Sequence, residues 1–254
     1  MTMNKVPVSV QLWSVKDDVA ADLSGTLAKL AGMGYVGVET AGLGKPSTSA
    51  WTKILKDNGL AVSGAHVGLD ALIGTTLNET LETYGEIGCR RFTVPSLARC
   101  YTGSLDGYRR ACTLLNTAAD RAKALGCTVG YHNHDFEFKF VENRIPFALM
   151  LDCLTSDVEI QFDMGWVYKA GCDGAAYVRS LPERIKTIHV KAFKPGDESA
   201  VVGEDSVPWA DVFAACEAVG GTEWYVVEHE NYEVHTPLEC VKLCIDHLRK
   251  MGKV

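Results

Sequence analysis

Several common signatures are missing from this chain, and each absence removes a class of function. No pair of cysteines is spaced as CxxC, although nine cysteines are present, among them Cys89, Cys112, Cys153 and Cys216. Scattered thiols in apolar settings, odd in number, read as reduced core residues rather than a disulfide framework or a zinc knuckle. No run of Lys or Arg stands out, and the formal net charge is −7. That balance argues against binding to nucleic acid or to an anionic membrane, both of which need a basic footprint. No apolar run approaches the length that spans a bilayer. The opening MTMNKVPVSVQLWS has no long apolar core of the kind that marks a secretory leader, so a cytoplasmic protein is expected. No GxGxxG follows the first strand-like run, which removes the usual dinucleotide fingerprint.

What is present is ordinary globular material. Apolar residues make up 47% of the 254 positions and charged residues 22%, which is not the composition of a disordered chain. The length suits one closed α/β barrel, and no Pro-, Ser- or charge-rich linker divides it. We therefore expect a single domain over 1–254.

Short β-branched runs alternate with helical segments along the whole chain. The strand candidates are Val6–Leu12, Val36–Thr40, Ala61–Val67, Arg91–Val94, Thr128–His132, Glu159–Asp163, Ile185–Lys191 and Trp224–Glu230. Several are apolar on both faces, as strands covered by helices must be. Between them, Leu23, Leu27, Leu30 and Ala31 share one helical face and Gly34 follows as a stop. Tyr108, Cys112, Leu115, Ala119 and Ala122 repeat the pattern up to Gly126, and Val212, Phe213, Cys216 and Val219 precede Gly220 and Gly221. The last helix opens on Thr236, Pro237 and Glu239: a cap, a first-turn proline and a capping-box acid. Eight strand–helix units with right-handed crossovers predict an α/β fold, a single parallel eight-stranded (β/α)8 TIM barrel. The alternative is an open doubly wound sheet. The longest polar insertion, residues 194–208, follows strand seven.

In such a barrel the chemistry sits where strands end and βα loops begin. Ionisable residues gather at those positions: Glu39, His66, His132, His134, Asp163, His189, Lys191, Glu228 and Glu230. Side chains alternate faces along a strand. If Ile160 and Phe162 face the helices, Gln161 and Asp163 face the axis. The same count turns Thr187, His189 and Lys191 inward on strand seven, and Glu228 and Glu230 inward on strand eight. Any one of these residues has a plain structural reading, as a hydrogen-bonded rim or core group. Asp163, His189 and Glu228 together do not, because three inward polar groups would destabilise a plain core. Two carboxylates and an imidazole suit Mn²⁺, Mg²⁺, Co²⁺ or Zn²⁺. His229 is expected to face a helix, and His235 and His247 to lie on the surface.

At these motifs the sequence resembles the xylose isomerase-like barrel family, the sugar-phosphate isomerases and epimerases that also include inosose dehydratase. The likeness runs through VSVQLWSVKDD, GYVGVE, VSGAHVG, GYHNHDFEF, IQFDMGW, IKTIHVKAF, VGEDSVPW and WYVVEHEN. It implies one divalent metal, Mn²⁺ foremost, held by a Glu after strand five, an Asp after six, a His on seven and a Glu on eight. Asp163, His189 and Glu228 match that set. Strand five departs from it: where relatives read Glu-Asn-His, this chain reads His132-Asn133-His134. The fourth ligand is then His132, favoured by parity, or Glu137, which keeps the family's ligand chemistry.

The resemblance implies an isomerase or epimerase that takes a keto-sugar or related polyol through a metal-stabilised enediolate. Glu228 would be the base, and His132 or Glu137 the opposite acid/base. Lys16, Glu39, His66, His134 and Lys191 would orient hydroxyls, and Trp13 and Trp166 would offer flat faces to a sugar. The change at strand five raises a rival, a dehydratase or lyase acting on a keto-inositol or 3-keto-glycoside. An endonuclease IV-like nuclease and a metal-free sugar-binding barrel are the remaining readings. The expected partner is a small carbohydrate-like molecule, with no nucleic acid and no membrane, and a homo-oligomer is compatible with the sequence.

Overall fold

The computed structural model describes residues 5–219 and 221–254. Met1–Asn4 and Gly220, the latter part of the expected stop after the seventh helix, lie outside the described residues. Eight parallel strands close into one barrel in sequence order: β1 (Val8–Gln11), β2 (Gly37–Thr40), β3 (Ala61–His66), β4 (Arg91–Val94), β5 (Thr128–His132), β6 (Val158–Asp163), β7 (Ile185–Lys191) and β8 (Trp224–Glu228). β1 pairs with β8, so no edge strand is left among the described residues and the open doubly wound alternative is excluded.

The longer helices pack outside with their apolar faces turned to the strands, while the short helices Lys16–Ala21 and Arg99–Thr102 bury no residue. Leu23, Leu27 and Leu30 are buried on the helix Leu23–Met33, which ends on Gly34 at φ 107°, a left-handed cap that glycine adopts without strain. The helix Pro237–Lys250 opens with the full capping box of Thr236 and Glu239. No helix among the described residues is long and apolar enough to cross a membrane.

β2 and β3 are each one residue shorter than expected, and β1 and β8 are shorter by more, each of these two with a local limit. Pro7 has no N–H to give β1, although its carbonyl accepts the Tyr225 N–H at 3.0 Å. β8 ends at Glu228 because the next amide, that of His229, donates to Ser14 Oγ at 3.0 Å instead of to a strand. The strand ladder stops there, yet Glu230 still turns toward the mouth as expected and lines the cavity with Glu228. Glu230 sits at the rim, paired with Lys191. His229 is buried, and its Nε2 bonds the Asn231 carbonyl. His247, expected on the surface, is half-buried and bonds the Val202 carbonyl through Nδ1 at 2.6 Å.

Two register shifts bear on the carboxyl-terminal mouth of the barrel. One falls between Val38 and Glu39 on β2, the other between Ile160 and Gln161 on β6. A bulge re-aims the side chain beyond it, and Glu39 and Gln161 are the two residues that hold the polar layer at that mouth.

Candidate active site

The floor of the site is a fully buried carboxylate. Glu39 Oε2 accepts from Gln11 Nε2 at 2.7 Å and from His189 Nε2 at 2.7 Å, while Oε1 accepts from Gln161 Nε2 at 2.6 Å. A Cβ at Gly64 on β3 would stand 3.0 Å from Glu39 Oε1, so the absence of a side chain there leaves the carboxylate its room. Burial alone would raise the Glu39 pKa. The charges of His66 and His189 and the hydrogen bonds from His189 and Gln161 outweigh it and hold the group at about 2. Glu39 is therefore a fixed negative charge with both oxygens engaged. Its role is to hold histidines, not to touch a ligand.

That charge orients the layer above by a short relay. Because Gln161 gives its NH₂ to Glu39, its carbonyl oxygen faces the histidines. It lies 2.6 Å from His66 Nε2 and 3.0 Å from His132 Nδ1. A carbonyl only accepts, so the network assigns the proton of His132 to Nδ1 and leaves the Nε2 lone pair free. That Nε2 stands 3.9 Å from Asp163 Oδ2. In the same way Glu39 takes the Nε2–H of His189, whose Nδ1 then points at Glu228 Oε2, 2.9 Å away, and at Asp163 Oδ2, 3.8 Å away.

Four donor atoms from four successive strands thus converge. His132, Asp163, His189 and Glu228, from β5 to β8, each offer one ligand atom within 4.8 Å of the others, and all four residues are buried. The cluster is electrostatically unfinished. Asp163 Oδ1 accepts the Trp166 N–H at 2.9 Å, but Oδ2 is buried with no partner. Burial, with the charge of Glu228 beside it, raises the Asp163 pKa. Burial disfavours a charged His189, yet Glu39 and Glu228 on its two nitrogens raise its pKa. The Nδ1 proton of that imidazolium occupies the place where a cation would sit. Burial and the charges of His189 and His66 push His132 well below the ordinary histidine range, so its nitrogen is a lone-pair donor. An orphaned carboxylate oxygen, a bare imidazole nitrogen and a proton held between carboxylates fit a divalent ion, and two nitrogens with two oxygens are ordinary ligands for one.

The other expected site residues fall into two groups. His66, His134, Trp13 and Trp166 line a cavity of 360 Å³ above the cluster, together with His132, Glu228 and Glu230. Lys191 stands beside it, 3.4 Å from Glu228 Oε2 and 4.9 Å from the Trp166 ring centre. Burial would lower the Lys191 pKa, but Glu228, Asp163 and Glu230 raise it, so the ammonium is retained. Glu137 and Lys16 stand apart. Glu137 is fully buried and turned toward Tyr131 OH and the His134 backbone N–H, the latter 2.8 Å away, and it is not one of the converging four. Burial raises its pKa to about 7. Lys16 is exposed and lies 3.9 Å over the Trp13 ring, outside the cavity lining.

Three residues of this site carried no assigned role in the sequence: Gln11, Gln161 and Asn133. The Asn133 carboxamide oxygen accepts the Asp163 N–H at 3.0 Å and so ties the ends of β5 and β6 together. Inward parity marks Gln11 and Gln161, but parity does not say that an inward amide serves a histidine rather than a ligand.

Residues 27–251 match the model of the family described as xylose isomerase-like TIM barrel. Two solved sugar phosphate isomerase/epimerase structures from Parabacteroides distasonis are similar. One has TM-score 0.87 and 21% identity, covering 100% of this chain and 96% of the other, and the second has TM-score 0.85 and 25% identity, covering 99% and 100%. A probable 3-DHS dehydratase from Bacillus anthracis has the same fold at TM-score 0.70 and 13% identity, covering 96% of this chain and 98% of its own. No curated protein sequence matches the chain.

Proposed function

The chain belongs to the xylose isomerase-like TIM barrel family, and from that membership and the converged donors we propose that it is a metal-dependent isomerase or epimerase acting on a keto-sugar or related polyol. The observation that carries the reading is the quartet His132, Asp163, His189 and Glu228 beneath a small cavity, with one carboxylate oxygen left bare. A divalent ion bound there, Mn²⁺ foremost, would supply Lewis acidity toward a carbonyl and its neighbouring hydroxyl and stabilise an enediolate.

The chain's own groups supply the rest. Glu228 is ionised, because Lys191 and His189 hold its pKa well down against burial. It faces the cavity and takes the α-proton. Lys191 keeps its charge beside Glu228 and donates to developing negative charge on the substrate. His66 and His134 present ring edges to hydroxyls, and Trp13 and Trp166 wall off water.

One observation favours a second reading, elimination by a lyase or dehydratase. A two-base epimerase needs a carboxylate on each side of the reacting carbon. Here the strand-five position is a histidine whose free nitrogen turns to the cluster, and Glu137 faces Tyr131 and the His134 backbone. Removal of a proton by one base then suits loss of a β-substituent as well as isomerisation. The test is solvent-deuterium incorporation into a panel of keto-sugars, inososes and 3-keto-glycosides, with Mn²⁺-loaded and chelator-stripped protein. Metal-dependent exchange supports the reading, and product analysis separates isomer from alkene. No exchange with any member of the panel overturns it.

A further inference from the structure

The 360 Å³ cavity over the metal quartet is not alone on this face. A second cavity of 380 Å³ adjoins it, and the two share Trp166 and Glu230 as a common wall. Each is at the small end of the range for small-molecule sites, about 300–1,000 Å³. Together they would take a ligand of two units.

The outer wall of the second cavity is built, not loose. It comes from the long polar segment after β7, and Asp205 anchors that segment by accepting from the Phe193 N–H at 3.3 Å, the Gly203 N–H at 3.0 Å and the Trp209 Nε1–H at 3.0 Å. Ser206 N–H donates to the Phe193 carbonyl at 2.8 Å, which closes the base of the loop. Asp197 further accepts from Ser199 through its N–H at 3.2 Å and its hydroxyl at 2.8 Å.

The charge of the second cavity selects among ligands. Its lining carries Lys169, Lys191 and Lys194 against Asp197, Glu198 and Glu230, three cations to three anions. They are already matched: Lys194 with Asp197 at 2.9 Å, Lys169 with Glu198 at 3.6 Å, and Lys191 with Glu230. A phosphate or carboxylate would have to break such pairs and would also stand near Glu228 and Glu230, whose neighbouring cation, Lys191, is already paired with both. A hydroxyl has no such conflict, since it donates to a carboxylate and accepts from an ammonium at once.

We propose that the second cavity binds an uncharged, hydroxyl-rich group joined to the reacting sugar, so that the substrate is a glycoside of at least two units and not a free monosaccharide or a sugar phosphate. This rests on the reading of the first cavity as the reacting site. It assigns Lys194 and Glu198 to recognition of the second unit.

The test is equilibrium binding by calorimetry to the Mn²⁺-loaded protein. The probes are glucose, glucose 6-phosphate and the disaccharides trehalose, sucrose, maltose and cellobiose. At least one disaccharide should bind about tenfold tighter than glucose, and the K194A variant should lose that advantage. An E198Q variant should lower the ratio as well, and circular dichroism checks that both variants fold. Equal binding of glucose and every disaccharide, a preference for the phosphate, or an unchanged ratio in both variants overturns the proposal. Failure of the deuterium exchange alone, with the disaccharide preference intact, rejects the enediolate chemistry and leaves the second cavity standing. Binding of no disaccharide at all overturns the proposal, and the exchange test alone then decides the first cavity.

Discussion

The two ends of this barrel handle buried charge in opposite ways. At the amino-terminal end Arg91, first residue of β4, reaches across the interior. Its Nε bonds Glu159 at 2.6 Å, its Nη2 bonds Glu223 at 2.6 Å, and its Nη1 bonds the Ser63 carbonyl at 3.3 Å. Every arm of that guanidinium has a partner. At the carboxyl-terminal end Asp163 Oδ2 has none, and the His189 ring is set between two carboxylates, Nε2 against Glu39 and Nδ1 against Glu228. The satisfied end behaves as a plug that closes the barrel. The unsatisfied carboxylate stores electrostatic free energy that a bound cation would release, so the paired Arg91 cluster marks a stabilising role and the bare Asp163 oxygen marks the working end.

That contrast breaks under mutation in a ranked order. The largest effect is expected from E228Q, which removes a donor and the proposed base together. Bound metal, measured by elemental analysis, should fall from about one ion per chain to a trace, and exchange should drop by on the order of 10³-fold. Full activity in E228Q would mean the unsatisfied end is not the site. R91M attacks the other end. It leaves Glu159 without its partner, while the half-exposed Glu223 turns to water, and should cost about 1–2 kcal/mol in urea unfolding, with metal content and exchange per folded molecule unchanged. A loss of metal in R91M would erase the division between the two ends.

E39Q sharpens the comparison from beneath. The variant still fills the space but loses the negative charge that takes the His189 Nε2–H and, through Gln161, sets His132. Metal affinity should weaken roughly 10–100-fold with the fold intact, the usual size of such an outer-layer change. A competition titration against a chelator of known strength measures it, and wild-type affinity would show that the relay does not orient the histidines.

The smallest effect is expected from E137Q, and it depends on pH. Burial raises the Glu137 pKa in the folded protein to about 7, above its ordinary 4.5. The folded state therefore holds this proton more tightly than the unfolded chain, and stability present below pH 4.5 is lost as pH rises through 7. E137Q cannot ionise, so it should gain on the order of 1–2 kcal/mol over wild type at pH 8 and little at pH 4. Thermal melts at the two pH values check this. A loss of bound metal in E137Q would place Glu137 among the ligands after all.

Much of the architecture was legible because it rests on periodicity. The bounds expected for β4, β5 and β7 coincide with those observed, since each is a β-branched run ended by a turn. Parity also brought Asp163, His189 and Glu228 to one axis, as the structure places them. The rest was hidden for identifiable reasons. The end of β8 at Glu228 was hidden because a side chain on another element, Ser14, captures the His229 amide and ends the ladder. Glu39 read as a ligand contact because nothing in one strand reveals that Gln11, Gln161 and His189 from three others will occupy its oxygens. His132 and Glu137 could not be ranked beyond a modest parity argument, because the choice turns on the hydroxyl of Tyr131, one residue away on the opposite face of the same strand.

Asp163 does two jobs at once. One oxygen is the bare donor of the quartet, and the other caps the helix Met164–Lys169 by accepting the Trp166 N–H. Any ion that pulls on the first oxygen is thereby coupled to the first turn of that helix and to the indole set between both cavities. If the proposed cation binds, emission from Trp166 should shift on loading and again on sugar binding, and a W166F variant, which leaves the other four tryptophans, should lose both shifts.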